Sequence, residues 1–260
     1  MKKTVKPFSQ HLNRTFRKWH RKLGVFAAFF IVFLSVTGVA LNHTDGLSLA
    51  HQPIKSTLLL DHYGISAPQD IRFYQQQAIQ VINNSVWYKG NMLFESDAAV
   101  VSVGQIALKH NQQKVFIIAT RQSIFLYDLN GELVDMLGTE SGVPDTIKAM
   151  SINNGQVVVA SADGYYQTDS DFFDWQINQP LIAPNWLQPE QVSDDKTQQA
   201  ELAYRAQFLT LERIIIDSHS GRILGDIGVF FMDFIALLLI VLSISGLYIW
   251  VKYTKNTRKS

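Results

Sequence analysis

The sequence predicts an α+β membrane protein: two antiparallel transmembrane helices flanking a β-rich domain, either propeller-like or a β-meander. Three observations carry that prediction. Two long apolar runs stand near the ends, Leu23–Leu41 with no charge and Ile227–Val251 with one, Asp233. Charge is segregated by region. Residues 1–22 carry eight Lys/Arg and no acid, and 252–260 carry four and no acid, whereas 42–226 carry 11 Lys/Arg against 21 Asp/Glu, a formal charge of −10. Between the apolar runs, β-branched and aromatic stretches are punctuated by Asn-Gly and Asp-Gly pairs, the pattern of tight hairpins.

Residues 1–22 read as a basic cytoplasmic arm, a topology signal whose cations also suit anionic lipid. Trp19 stands where an interfacial aromatic belongs. Residues 23–41 then supply about 28 Å of helix at ~1.5 Å per residue, close to the roughly 30 Å of a hydrocarbon core. At ~100° per residue, Gly24, Ala27, Ala28, Ile31, Ser35 and Gly38 share one face, extended by His20 and Asn42. Phe26, Phe29, Phe33 and Val36 lie roughly opposite. Small residues let helices approach closely in lipid, so the small face is expected to meet a partner helix. Gly38-Val39-Ala40 offers small residues for signal cleavage, but the run exceeds the usual apolar region of ~7–15 residues.

Residues 42–208 form the expected outer domain, periplasmic in a bacterium with two membranes, because both basic ends belong in the cytoplasm. Tyr74–Ile82 reads as either a short helix or a strand. From Ser85 to Trp175 the sequence reads as β-structure, with hairpin turns at Asn130-Gly131, Asn154-Gly155 and Asp163-Gly164. Ile118-Ala119-Thr120 with Phe125 and Asp128 echoes Val159-Ala160-Ser161 with Tyr166 and Asp169 at an offset of 41. That offset suits a propeller blade of about 40–50 residues, although a propeller needs at least about four blades. Thr197–Phe208 reads as a helix leading back toward the membrane. Residues 209–226 form an interfacial segment, either strand–turn–strand or, preferably, an amphipathic helix. Residues 227–251 are the second span and 252–260 a basic cytoplasmic tail. Tyr248, Trp250 and Tyr253 mark the second interface.

The chemistry-bearing residues are few. The chain has no cysteine, which excludes disulfides, thiolate metal sites, iron–sulfur clusters and covalently attached haem. The acidic middle argues against nucleic acid as a partner. No glycine-rich phosphate loop, zinc-spaced histidine pair or Gly-x-Ser-x-Gly elbow is present, so a redox role would need a quinol or a partner protein. Asp169–Asp174 superficially resembles a calcium loop, but two phenylalanines break the ligand pattern. His43 ends the first span and His219 precedes the second, and two imidazoles at similar depth can hold a haem iron axially. His20 stands alone at the inner surface, where a homodimer would supply a second copy. An acid in a membrane helix costs about 2.5–3.5 kcal/mol at its centre. Asp233 is therefore expected to turn toward the first helix, with Ala236, Ile240 and Ser243 on its face, either for a proton or ligand contact or to hydrogen-bond Ser35, Thr37 or Asn42.

Taken together, the two ends resemble a known family. Trp19-His20-Arg21-Lys22-Leu23-Gly24 and Thr37-Gly38-Val39-Ala40-Leu41-Asn42-His43 look like the first helix of PepSY-associated transmembrane proteins. Leu59-Leu60-Asp61-His62-Tyr63-Gly64 resembles the segment that follows in their short, two-helix members. Glu212-Arg213, Asp217 through Gly225, and Ser245-Gly246-Leu247-Tyr248-Ile249-Trp250 are similar to the closing helix. The resemblance implies an inner-membrane protein with a periplasmic part. Larger members are linked to iron-siderophore uptake, and some are ferric-siderophore reductases that hold haem b between histidines. His20, His43 and His219 fall in the matching motifs. The chain departs from the reductases by having two spans where they have at least four. The expected partners are the lipid bilayer and a membrane or periplasmic protein engaged through the β-domain. Two functions follow as expectations: a membrane-tethered binding or accessory module, and a haem electron carrier.

Overall fold

The structure, a computed structural model, describes residues 8–178 and 184–257, with side chains from Arg17 to Val251 and that of Thr254. The start of the basic arm, residues 179–183 and the side chain of Tyr253 lie outside the described residues. In chain order the helices and strands are α1 (Phe8–Asn42), α2 (Thr57–His62), β1 (Ile71–Tyr74), β2 (Ile79–Ile82), β3 (Ser85–Tyr88), β4 (Asn91–Glu95), β5 (Val100–Ala107), β6 (Lys114–Thr120), β7 (Ile124–Asp128), β8 (Leu133–Leu137), β9 (Ala149–Asn153), β10 (Gln156–Ala160), β11 (Tyr165–Asp169), β12 (Gln176–Asn178), α3 (Asp194–Ala206), α4 (Leu211–His219) and α5 (Gly225–Thr257). They divide into two compact units, one within Met1–Ile54 and Gln207–Ser260, the other within Lys55–Ala206.

In the second unit the strands make three four-stranded antiparallel meanders, β1–β4, β5–β8 and β9–β12. The alternating period of a strand explains how they stack. On β6, Phe116 and Ile118 point into a core with Val81, Val86 and Tyr88 of the first sheet, while Val115, Ile117 and Ala119 point into a core with Met150, Val157 and Val159 of the third. The middle sheet is thus buried on both faces, which is why β6 reads as an unbroken apolar run. The other face of the first sheet, with Phe73, Ile82 and Trp87, is covered by Ala200 and Tyr204 of α3. That helix occupies the face a further blade would need, and three sheets fall short of the about four blades that close a ring. The sheets are therefore stacked meanders, and the propeller expectation is corrected.

Each of the three anticipated hairpins is present. Asn154 and Gly155, with φ of 48° and 76°, give β9 and β10 the turn with two left-handed central residues that suits a twisted strand pair. Asn130-Gly131 joins β7 to β8 and Asp163-Gly164 joins β10 to β11. Tyr74–Ile82 is strand at both ends, divided between β1 and β2. Arg205, buried on α3, fastens α2 to α3: its guanidinium donates to the Ile65 carbonyl at 2.9 Å and pairs with Asp61 and Glu201.

The first unit packs α1 against α4 and α5. Within it, the stretches 17–42 and 222–251 are long and apolar enough to cross a membrane, and little of either is buried. The contact is turned from the one expected. Ala27 is buried and Gly24 and Gly38 are half-buried, but Ala28, Ile31 and Ser35 are exposed, while Phe30 and Leu34 are half-buried in their stead. Phe30 meets Phe231 with ring centroids 5.5 Å apart. On α5 the buried positions are Gly228, Ile235 and Ser245. Asp233, Ala236, Ile240 and Ser243 lie on another side of the same helix and are exposed. No side-chain hydrogen bond joins Asp233 to Ser35, Thr37 or Asn42 among the described residues, so the acid does not turn toward the first helix. Residues 211–219 form a helix, capped where Thr210 Oγ1 accepts from the Arg213 amide at 3.3 Å.

Candidate functional site

The candidate site lies in the helical unit and is built from two histidines, each docked on a hydroxyl–glycine pair. His219, the last residue of α4, places Nδ1 2.7 Å from Thr37 Oγ1 on α1. A Cβ on the neighbouring Gly38 would sit 3.8 Å from His219 Cε1, so the glycine gives the ring its floor. His20, on α1, places Nδ1 2.8 Å from Ser245 Oγ on α5. Its Cε1 would lie 3.6 Å from a Cβ on the neighbouring Gly246.

Each hydroxyl is also within hydrogen-bond distance of a carbonyl of its own helix. A hydroxyl has one hydrogen and two lone pairs. Thr37 Oγ1 donates to the Phe33 carbonyl at 2.9 Å, and Ser245 Oγ donates to the Leu242 carbonyl at 3.0 Å. With its hydrogen on that carbonyl, such a hydroxyl has a lone pair with which to accept from an imidazole N–H. The Nε2 of each ring has no hydrogen-bond partner among the described residues.

The histidines do not meet within one chain. Gly38, under His219, is 18 residues along α1 from His20, a separation of about 27 Å at ~1.5 Å per residue. His43 sits just past the end of α1, exposed, with its amide bonded to the Ala40 carbonyl at 3.1 Å. No contact between the His43 and His219 side chains is present among the described residues. Asp233 and Ser35 are exposed, and Ser243, also exposed, donates to the Leu239 carbonyl at 2.8 Å.

A family model described as the PepSY-associated TM region matches residues 2–253, nearly the whole chain. The chain belongs to that family. No curated protein matches it. Haem, expected from the sequence analysis, is the group to test against the geometry. Among the described residues no cluster of three or more His, Asp or Glu side chains is present to hold a bare ion. A lone imidazole is enough for a metal that brings four equatorial ligands of its own, as haem iron does. Metal-bound histidines characteristically have the second ring nitrogen hydrogen-bonded, which fixes tautomer and orientation. His20 and His219 both fit that description one by one. The sequence had pointed to both histidines but not to their anchors, Thr37 and Ser245. The usable signal was the recurrence of a hydroxyl residue followed by glycine in each apolar run.

Proposed function

We propose that this chain is a two-span inner-membrane haem b carrier, with both termini cytoplasmic and the β-domain periplasmic, serving ferric-siderophore reduction. The observation that carries the reading is the pair of histidines whose Nδ1 atoms are hydrogen-bonded to Ser245 and Thr37 and whose Nε2 atoms have no hydrogen-bond partner among the described residues. His219 and His20 would hold the iron, one at each end of α1. Thr37 and Ser245 would orient the rings and raise ligand basicity. Haem supplies one-electron chemistry when bound. An opposing ligand at the His219 end has two sources, His43 and a second copy of the chain. At the His20 end a second copy is the source, so this reading includes a homodimer.

An absorption spectrum of the full chain, purified in detergent from haem-replete cells, tests the proposal. Dithionite should sharpen α and β bands. His219→Ala and His20→Ala should each remove the haem of its own end, and the double variant all of it. His43→Ala tells whether His43 is the opposing ligand. A colourless wild-type protein would sink the haem reading.

A second reading keeps the β-domain as the working part: a tethered periplasmic binding or accessory module. Its support is a cavity of about 390 Å³ lined by Leu108, Leu126, Val134 and Phe172, with His110 and Asp171 3.2 Å apart at its wall. Crosslinking through this domain in whole cells should then return one defined protein partner.

A further inference from the structure

We propose that Arg213 and Arg222, held side by side by the buried Asp217, form a headgroup site for an anionic phospholipid. The inference rests on the membrane reading given above, but not on haem. Asp217 is 2% exposed, and its two carboxylate oxygens are divided between two cations. Oδ2 accepts from Arg213 Nε at 2.7 Å and Oδ1 from Arg222 Nε at 3.1 Å. Both arginines reach Asp217 through Nε, and their side chains are 57% and 53% exposed. Two like charges gathered on one carboxylate leave an excess of positive charge at the spot. Glu212 and Asp226 flank it, and neither forms an ion pair with either arginine among the described residues. A guanidinium fork fits phosphate oxygens bidentately, as an ammonium cannot.

The turn that carries Arg222 is locked. Gly221 adopts φ +80°, and a Cβ there would lie 2.3 Å from the Gly228 carbonyl oxygen in the first turn of α5. The arginine is therefore presented from a fixed backbone. What lies beside it identifies the ligand as a lipid. Leu224, Ile227 and Phe230, the first of them two residues after Arg222, recur every three residues into the start of the apolar span and are 69%, 82% and 76% exposed. A phosphate group on the forks puts its acyl chains along that run. Free phosphate would have no use for it.

Delipidated full chain in detergent, offered dioleoyl-phosphatidylglycerol or dioleoyl-phosphatidylcholine and read by native mass spectrometry, tests the site. Wild type should retain the anionic lipid over the zwitterionic one. R213Q/R222Q should lower that retention about tenfold or more, at roughly a few-fold per surface arginine. R213K/R222K keeps the charge without the fork and should also lose most of it. A lysine pair that binds as wild type does would overturn the proposal, as would wild-type chain with no headgroup preference. Displacement of the lipid by millimolar inorganic phosphate would overturn it too, by making free phosphate the ligand. Carbonate extraction of cell membranes is run in parallel on wild type and both variants, with helicity checked by circular dichroism. Extraction of the wild type into the soluble fraction defeats the membrane reading itself. Variants that stay in the pellet while losing the lipid isolate the site.

Discussion

Thr37 and Ser245 show how one atom decides what a histidine can do. Each hydroxyl lies within hydrogen-bond distance of both a helix carbonyl and an imidazole Nδ1, and on the haem reading it accepts from the ring and leaves Nε2 for the iron. Thr37→Val keeps the side chain's volume and removes that acceptor. If His219 holds haem, the substitution should weaken its affinity about 10–100-fold, the usual cost of losing an outer-shell partner. Ser245→Ala should do the same at His20. Haem titration of the apo chain, followed at the Soret band, measures both, and unchanged affinity would remove the anchors' role. At this scale the sequence was only partly legible. The histidines stood out because they flank apolar runs. Their partners did not, because a hydroxyl in a membrane helix is equally at home bonded to its own backbone. Asp233 misled for a related reason: membrane cost argues that an acid should turn inward, but the helical phase of Ile235 and Ser245 carries it outward.

At the scale of elements, the offset of 41 in the sequence marks equivalent places in neighbouring sheets. Ile118–Thr120 ends β6 and Val159–Ser161 ends β10, each the second strand of its meander. The turns that follow match: Thr120 N donates to Ser123 O and Ser161 N to Gly164 O, both at 2.8 Å. Asp128 and Asp169 then close β7 and β11 with their carboxylates capping backbone amides of the next turn. The amides of Glu132 and Asn130 hold the Asp128 carboxyl below its ordinary range, and the Asp171 amide with Lys109 does the same for Asp169. A carboxyl whose folded value is depressed stabilises the fold above its unfolded value of about 3.9, and that contribution is lost as pH falls through the lower, folded value. Thermal unfolding of the β-domain within the full chain, followed by circular dichroism, should therefore change little between pH 7 and 5 on this account and fall below about pH 4. Asp128→Asn should make the acid fall shallower. An equally steep fall in the variant would show that the cap does not contribute. The strands were legible because alternation and Asn-Gly pairs are local signals. The stacking was not, because nothing local in Phe73 or Trp87 says that α3, over a hundred residues later, will cover them.

For the whole molecule the question is which side of a bilayer each part occupies, and electrostatics answers it more firmly than packing does. The stretches 17–42 and 222–251 expose most of their apolar surface, including Val25, Phe29, Val32, Phe234 and Leu237. The core helix of a water-soluble protein would bury such a stripe, so a bilayer is the solvent that suits it. Orientation then follows from the flanks. Eight Lys/Arg precede the first run and four follow the second, none with an acid beside it, while the region between carries −10. Basic flanks resist translocation and acidic loops scarcely oppose it, so the proposed orientation keeps both ends inside and takes the middle across. The Asn130-Gly131 turn is a place to read this, since Gly131 is at φ +89° in an exposed hairpin tip of the β-domain. Alkaline phosphatase inserted there should be active, because it folds only outside the cytoplasm, and a fluorescent protein inserted there should stay dark. Fused after Ser260 the two reporters should exchange behaviour. Replacing the basic residues among 1–22 with glutamine should weaken the first reporter pattern before it affects the second, since the first span is the one whose orientation those charges set. Reporter activity on the wrong side at either position would mean that the charge asymmetry does not orient this chain.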